Sequence, residues 1–334
     1  MSNATKICKA NFQLKIIASF FLIPIFLTAG TSLAQTLSLP ASGGPSEEFT
    51  PNFTDVKEGN PYYVAISYLR QQNVIKGYDD NTFKPSQEIN RAEALKMLTV
   101  TSGLFSETAD ALTDPETPPF NDTPLDAWYT KYIAAAKEKG VVNGNPDGNF
   151  KPETSINLAE TLKIYLEARN ATGDTIDYTG VEETMFDDTA PGEWYTKYTS
   201  YAGHNNLINI YYSNTINPTQ AITRGYLAEI IYRTLKHKEG SEFGKATFYQ
   251  GRSLKSNDSF DTDIFTTAHK TLPFGTILTV TNLANGKSVL IKVTDRGPYA
   301  PGRVIDLSKN AFSVLASPSV GVINVEYKIA EYTL

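Results

Sequence analysis

The stretch TTAHKTLPFGTILTVTNLANGKSVLIKVTDRGPYAPGRVIDLS, residues 266–308, decides how this chain is read. Within it, Ile277–Asn282 and Ser288–Thr294 are runs rich in β-branched residues and read as strands. Asn285-Gly286 lies between them, a dipeptide that favours the left-handed backbone of a tight hairpin turn. Val304–Leu307 and Gly321–Val325 supply further strands, and Lys309–Leu315 reads as a short helix. Many short strands point to a small closed barrel, because closure removes exposed strand edges. The same stretch gathers His269, Asp295, Arg296 and Asp306, polar groups fit for bond cleavage.

Upstream the pattern changes to a helical period and repeats itself. Phe53-Thr54-Asp55, Phe120-Asn121-Asp122 and Phe186-Asp187-Asp188 recur 67 and 66 residues apart. Pro85, Pro152 and Pro218 keep that spacing, as do Ile89, Ile156 and Ile222. Aromatic pairs follow each opening: Tyr62-Tyr63, Trp128-Tyr129 and Trp194-Tyr195. Each unit reads as helix, loop, helix; Tyr62, Ala65, Ile66 and Leu69 form one apolar stripe. Asn90 with Glu93 and Asn157 with Glu160 read as capping boxes, and Thr223 holds the same place in the third unit. One helix pair cannot bury its own stripe, so the three units are expected to pack together. Asp79-Asp80 and Asn145-Pro146-Asp147-Gly148 lack the alternating ligands of a calcium loop and read as turns.

Lys6, Lys9 and Lys15 precede the apolar run 16–29, and Ser32-Leu33-Ala34 follows it. That is the layout of a cleavable secretory leader, residues 1–34, with a Ser/Gly/Pro-rich linker at 35–50. The run is short for a membrane span and contains Pro24, so cleavage is expected to leave no stable span. Cys8, the single cysteine, precedes the run and is misplaced for lipidation. A chain cleaved after Ala34 has no cysteine, which suits a bacterial envelope without disulfides.

The whole chain carries a formal charge of −6, and the leader removes three lysines and no acids, giving −9. Residues 35–240 hold 17 basic and 28 acidic groups, a balance of −11; residues 241–334 hold 10 and 8, a balance of +2. An acidic chain offers nucleic acid no basic surface. His204, His237 and His269 are scattered rather than set at ligand spacing, so no metal and no other cofactor is expected. Ser308 lacks the elbow context of a nucleophile.

Two resemblances carry this further. Val74-Ile75-Lys76-Gly77-Tyr78, Asp80–Pro85 and Ile89-Asn90-Arg91-Ala92-Glu93, with the Phe-x-Asp openings, resemble the S-layer homology domain. That covers three repeats at 51–115, 116–180 and 181–238. It implies an all-α bundle that binds an anionic secondary cell-wall polysaccharide. Arg91, Trp128, Trp194 and Arg224 are the implied contacts; Leu158 replaces the second arginine. The alternative keeps both arginines as carboxylate partners and both tryptophans as core.

Residues 243–334 resemble the rare lipoprotein A family, an all-β six-stranded double-psi barrel related to expansins. Gly244–Tyr249, Thr267–Pro273, Asp295-Arg296-Gly297-Pro298 and Ile305-Asp306-Leu307-Ser308 carry the match. The resemblance implies a lytic transglycosylase acting on peptidoglycan glycan strands. Its motifs place Asp295 as the acid and base, His269 as the group orienting Asp295 or the sugar, and Asp306 as neighbouring charge and reserve catalyst. Acting as an acid needs a protonated carboxyl near neutral pH, supplied by desolvation or a nearby anion. Tyr249, Arg296, Ser308 and Asp258 are the implied substrate contacts; Asp258 stands where the family has a longer glutamate. The alternatives are a barrel that grips glycans without cutting them and a structural component of the surface layer.

Overall fold

A computed structural model of the protein describes residues 53–105, 112–179, 185–209, 214–249, 265–300 and 302–330. The expected leader, linker, Cys8 and Asp258 lie outside them. Six helices come first: α1 (Tyr63–Gln71), α2 (Arg91–Thr101), α3 (Thr130–Glu138), α4 (Leu158–Ala171), α5 (Thr196–His204) and α6 (Arg224–Lys238). Six strands follow: β1 (Glu242–Tyr249), β2 (Thr266–His269), β3 (Ile277–Asn282), β4 (Ser288–Asp295), β5 (Arg303–Ser308) and β6 (Ile323–Ile329). Helix α7 (Lys309–Leu315) lies between the last two strands. Among the described residues no helix is long and apolar enough to cross a membrane.

The three helix pairs close around a ring of isoleucines. Ile89 N donates to Ile222 O (3.1 Å), Ile222 N to Ile156 O (3.0 Å) and Ile156 N to Ile89 O (3.0 Å). All three side chains are buried, each burial stabilising by about 1.5–3 kcal/mol. Each opening aspartate ties down its own repeat's loop by accepting two backbone amides. Asp55 takes Phe83 N and Lys84 N, Asp122 takes Phe150 N and Lys151 N, and Asp188 takes Ile216 N and Asn217 N. Lys84, Lys151 and Asn217 all sit at positive φ, so the third unit repeats the geometry of the first two. Asp80 and Asp147 accept the amides of Thr82 and Asn149, the turn chemistry expected of them.

The caps fall at Asn90, Asn157 and Thr223, but only Asn157–Glu160 closes a reciprocal box. Glu93 turns to Arg224 instead, at 3.4 Å. Gly225 stands where the other repeats have alanine because a Cβ there would meet the Tyr62 ring at 2.3 Å.

The strands form a closed barrel in the order β1-β5-β2-β4-β3-β6. Ala246, Val280, Val289, Ile291, Val293, Ile305, Leu307 and Val325 fill it, and Phe312 of α7 packs on that core. The hairpin turns at Gly286, φ +73°. The barrel is continuous with the bundle. Phe243 and Leu283 are buried with the helical core, and Val64 N donates to Leu283 O (3.2 Å).

Candidate functional site

Strand register sets the barrel site. Ala268 on β2 pairs with Asp295 on β4 and with Asp306 on β5, and Asp306 pairs with Thr247 on β1. Register partners share a face of the sheet. Ile305 and Leu307 face the barrel interior, so Asp306 and its partners face outward. Adjacent strands lie about 4.8 Å apart, which sets the Cα atoms of Asp295 and Asp306 roughly 10 Å apart across Ala268.

Simple alternation would send Asp295 inward with Val289, Ile291 and Val293. A bulge prevents this: Thr267 pairs with Val293 and the next residue, Ala268, pairs with Asp295, leaving Thr294 over. The extra residue resets the alternation and turns Asp295 to the outer face. Its Oδ1 accepts the Arg296 amide at 2.8 Å. Gly297 follows at φ +130°, a backbone suited to glycine.

Tyr249 reaches across β5 to Thr266, hydroxyl to hydroxyl at 2.8 Å. Burial raises its pKa; the Thr266 bond opposes this, and the charges of Asp295 and Asp306 add to the rise. The hydroxyl therefore lies within the field of both carboxylates. Ser308 Oγ accepts the Thr266 amide at 3.3 Å, a structural bond at the residue whose hydroxyl meets Tyr249.

Of the two partners expected of His269, Asp295 or the sugar, Asp295 is not among the hydrogen-bond partners of its ring in the described residues. Its side chain faces inward with Ile305, its register partner, and is only 8% exposed. Nδ1 accepts the amides of Thr271 (3.1 Å) and Leu272 (2.9 Å), and Nε2 lies 3.0 Å from the Tyr327 hydroxyl. A nitrogen that accepts two amides carries no proton, so the proton sits on Nε2 and points at Tyr327. The ring has nothing left to offer Asp295. Burial, then the charges of Arg296 and Lys270, lowers the His269 pKa. Arg296 is likewise engaged: Nη1 donates to Leu272 O (2.9 Å) and His269 O (3.4 Å), and the guanidinium lies 3.8 Å from the Phe274 ring centroid. It straps the Asp295 turn to the histidine loop. Phe274 and Tyr299, the latter 80% exposed, are aromatic groups near this turn that the sequence reading did not single out.

In the bundle, both arginines hold protein partners, including the carboxylates that the alternative reading gave them. Arg91 Nε donates to Phe150 O (3.0 Å) and Nη1 meets Glu160 (3.0 Å). Arg224 Nε donates to Phe83 O (2.9 Å) and Nη1 meets Glu93. Each joins its repeat to the loop of a neighbouring one. The tryptophans are not core: Trp128 is 49% exposed and Trp194 51%.

Lysines from the preceding repeat stand over those rings. Lys96 Nζ lies 5.5 Å from the Trp128 centroid and 5.4 Å from that of Tyr132, and Lys163 lies 5.4 Å from Trp194. Burial lowers the Lys96 pKa, and the like charges of Lys76 and Lys131 lower it further. An ammonium repelled by two others beside an exposed aromatic ring is a setting that favours an anion. No local motif marks Lys96 or Lys163; only the repeat spacing aligns them. The third unit has Glu229 in that register (163 − 96 = 67; 229 − 163 = 66), with Tyr62 for the tryptophan.

These two sites sit on recognisable scaffolds. Residues 241–327 match the lytic transglycolase family, and residues 42–95 and 119–162 match the S-layer homology domain. The chain thus carries S-layer homology repeats followed by a barrel of the lytic transglycolase family. A probable endolytic peptidoglycan transglycosylase RlpA of Treponema pallidum (strain Nichols) is 44% identical over 93 residues, covering 28% of this chain and 29% of the relative. One from Synechocystis is 43% identical over 102 residues, covering 29% and 31%. The endolytic peptidoglycan transglycosylase RlpA of Rickettsia typhi is 39% identical over 106 residues, covering 29% and 33%. The chain therefore spans only 29–33% of the length of these relatives. An apo expansin from Clavibacter michiganensis aligns over 28% of this chain and 52% of its own at 24% identity, with a TM-score of 0.25.

Proposed function

We propose that this protein is an envelope-associated lytic transglycosylase that cuts the glycan strands of peptidoglycan while its repeats hold it at the wall. Asp295, in acid form, gives its proton to the leaving oxygen of the linkage after N-acetylmuramic acid. As the C1–O bond breaks, positive charge develops at C1, and the sugar's own 6-hydroxyl adds there. The proton of that hydroxyl returns to the Asp295 carboxylate. The carboxyl is regenerated, no water is consumed, and the strand ends in a 1,6-anhydro ring. An internal nucleophile needs no second carboxylate to position water, and proximity supplies much of the rate. Asp306 faces the same sugar from the other side of Ala268. His269 acts from inside the barrel by shaping the loop that receives Arg296.

The observation that supports this most is the outward rung of Asp295, Ala268 and Asp306, with the Tyr249 hydroxyl in the field of both acids. The names of the barrel's relatives agree with it. The exposed tryptophans with Lys96 and Lys163 above them support retention on an anionic wall polysaccharide. The leader would direct export. Incubating the full chain with peptide-free glycan strands, with products read by mass spectrometry, tests the reading. Anhydromuramoyl ends that vanish in Asp295→Asn are expected. Binding without product at every pH tested would replace the enzyme with a glycan-gripping module.

A further inference from the structure

The outer face of the barrel carries a second polar device, which the sequence motifs did not mark. Arg303 and Asp306 are three residues apart on β5, a spacing that ordinarily puts side chains on opposite faces. A bulge overrides this. Lys245 pairs with Arg303 and the next residue, Ala246, pairs with Ile305, so Val304 is left over and the alternation is reset. Arg303 and Asp306 then share the outer face, with Thr247 of β1 between them. Arg303 Nη1 donates to Thr247 Oγ1 at 3.3 Å, and Thr247 Oγ1 is hydrogen-bonded to Asp306 Oδ1.

Direction follows from the donors available. A guanidinium only donates, so the threonine oxygen receives from Arg303 and its single proton goes to Asp306. Thr247 is buried, which fixes the hydroxyl rotor in that sense. Oδ1 of Asp306 is thereby committed as an acceptor. Among the described residues Asp295 has no such donor; the bond it accepts there comes from the amide of its own neighbour.

We infer that Arg303 and Thr247 are positioning residues that hold Asp306 as the accepting carboxylate of the outer face and so divide the labour between the two aspartates. This rests on the transglycosylase reading. Asp295 moves the proton, and Asp306 opposes the positive charge developing at C1. A hydrogen bond to a charged group, lost at that moment, costs about ten- to a hundredfold in rate.

The test is steady-state kinetics on peptide-free glycan with Thr247→Val, Thr247→Ser and Arg303→Met in the full chain. Thr247→Val is isosteric but has no hydroxyl. Its kcat is expected to fall about ten- to a hundredfold with KM within about twofold, while Thr247→Ser restores most of the rate. Arg303→Met should fall less, since it loosens the hydroxyl without removing it. An unchanged kcat in Thr247→Val, or an equal loss in Thr247→Ser, overturns the assignment. A second measurement is independent of activity. The Thr247 hydroxyl proton should exchange slowly enough to be seen by NMR in the wild type and in Asp295→Asn, and should be lost in Asp306→Ala. If the wild type cuts no glycan, the proposed function fails and this signal still decides whether the relay exists; its absence from the wild type overturns the relay whatever the activity.

Discussion

His269→Asn separates a proton carrier from a structural keystone. The wild-type imidazole satisfies two amides through Nδ1, Thr271 N and Leu272 N, and one hydroxyl through Nε2. Alanine removes all three partners. Leaving two partly buried donors unpaired costs about 1–3 kcal/mol each, about 2–6 kcal/mol together, and the vacated ring space adds to it. Asparagine places its amide oxygen where Nδ1 was and keeps both backbone bonds. It gives up the Tyr327 bond and some packing, about 1–2 kcal/mol. Urea unfolding of the two variants should therefore differ by at least about 1 kcal/mol. Activity should follow stability: His269→Asn keeps cutting within about tenfold of wild type, and His269→Ala does not.

The pH dependence gives a second reading of the same variant. The folded pKa of His269 is lowered, so the unfolded chain binds more protons once the pH drops below the ordinary histidine value of about 6.5. The stability held above that pH is lost as pH falls through the lowered folded value, where a proton on Nδ1 would face two amide donors. His269→Asn should lose that slope and keep the rest of the profile. A His269→Asn protein as stable as wild type yet as inactive as His269→Ala would refute the keystone and return the imidazole to the chemistry.

Two further outcomes follow from the bundle. Lys96→Glu with Lys163→Glu should lower retention on purified walls at least about tenfold, and added salt should weaken wild-type retention in the same direction; unchanged pull-down would remove the lysine–tryptophan grooves from the anchor. Gly225→Ala should destabilise by about 1–3 kcal/mol in urea, because its Cβ would meet the Tyr62 ring at 2.3 Å. Wild-type stability there would mean that the ring moves aside freely.

Much of the fold was legible because it is written in periods. The spacing of Asp55, Asp122 and Asp188 announced three equivalent loops, and each aspartate does the same work. Alternation in Ile277–Asn282 and Ser288–Thr294, with Asn285-Gly286 between, placed a hairpin that the barrel contains. The site was less legible where a period breaks. Thr294 and Val304 look like ordinary strand residues, yet each is the extra residue of a bulge that turns a polar neighbour outward. The carboxylate pairing of Arg91 and Arg224 was open as an alternative, but a carbonyl acceptor 59 or 141 residues away leaves no local trace. The lysines were missed for the same reason, since Lys96 meets Trp128 only through packing between repeats.

The bundle's symmetry fails where the barrel begins, and the two facts have one cause. In the first two units the helix position over the tryptophan is lysine. In the third it is Glu229, buried and bonded to Arg233 at 2.8 Å. Arg233 in turn donates to Asn206 O and lies 5.0 Å from the Phe243 ring centroid, so the ion pair helps seat the first barrel strand. One residue earlier, Tyr232 donates to Glu326 of β6, which also accepts from Ser241 at 2.6 Å. A lysine at position 229 would leave Arg233 facing like charge in the interior, where an unpaired cation costs several kcal/mol. The third unit therefore cannot keep the lysine of its siblings and also carry the barrel. Two inter-repeat positions keep a lysine beside an exposed tryptophan, and the last is given over to seating the barrel.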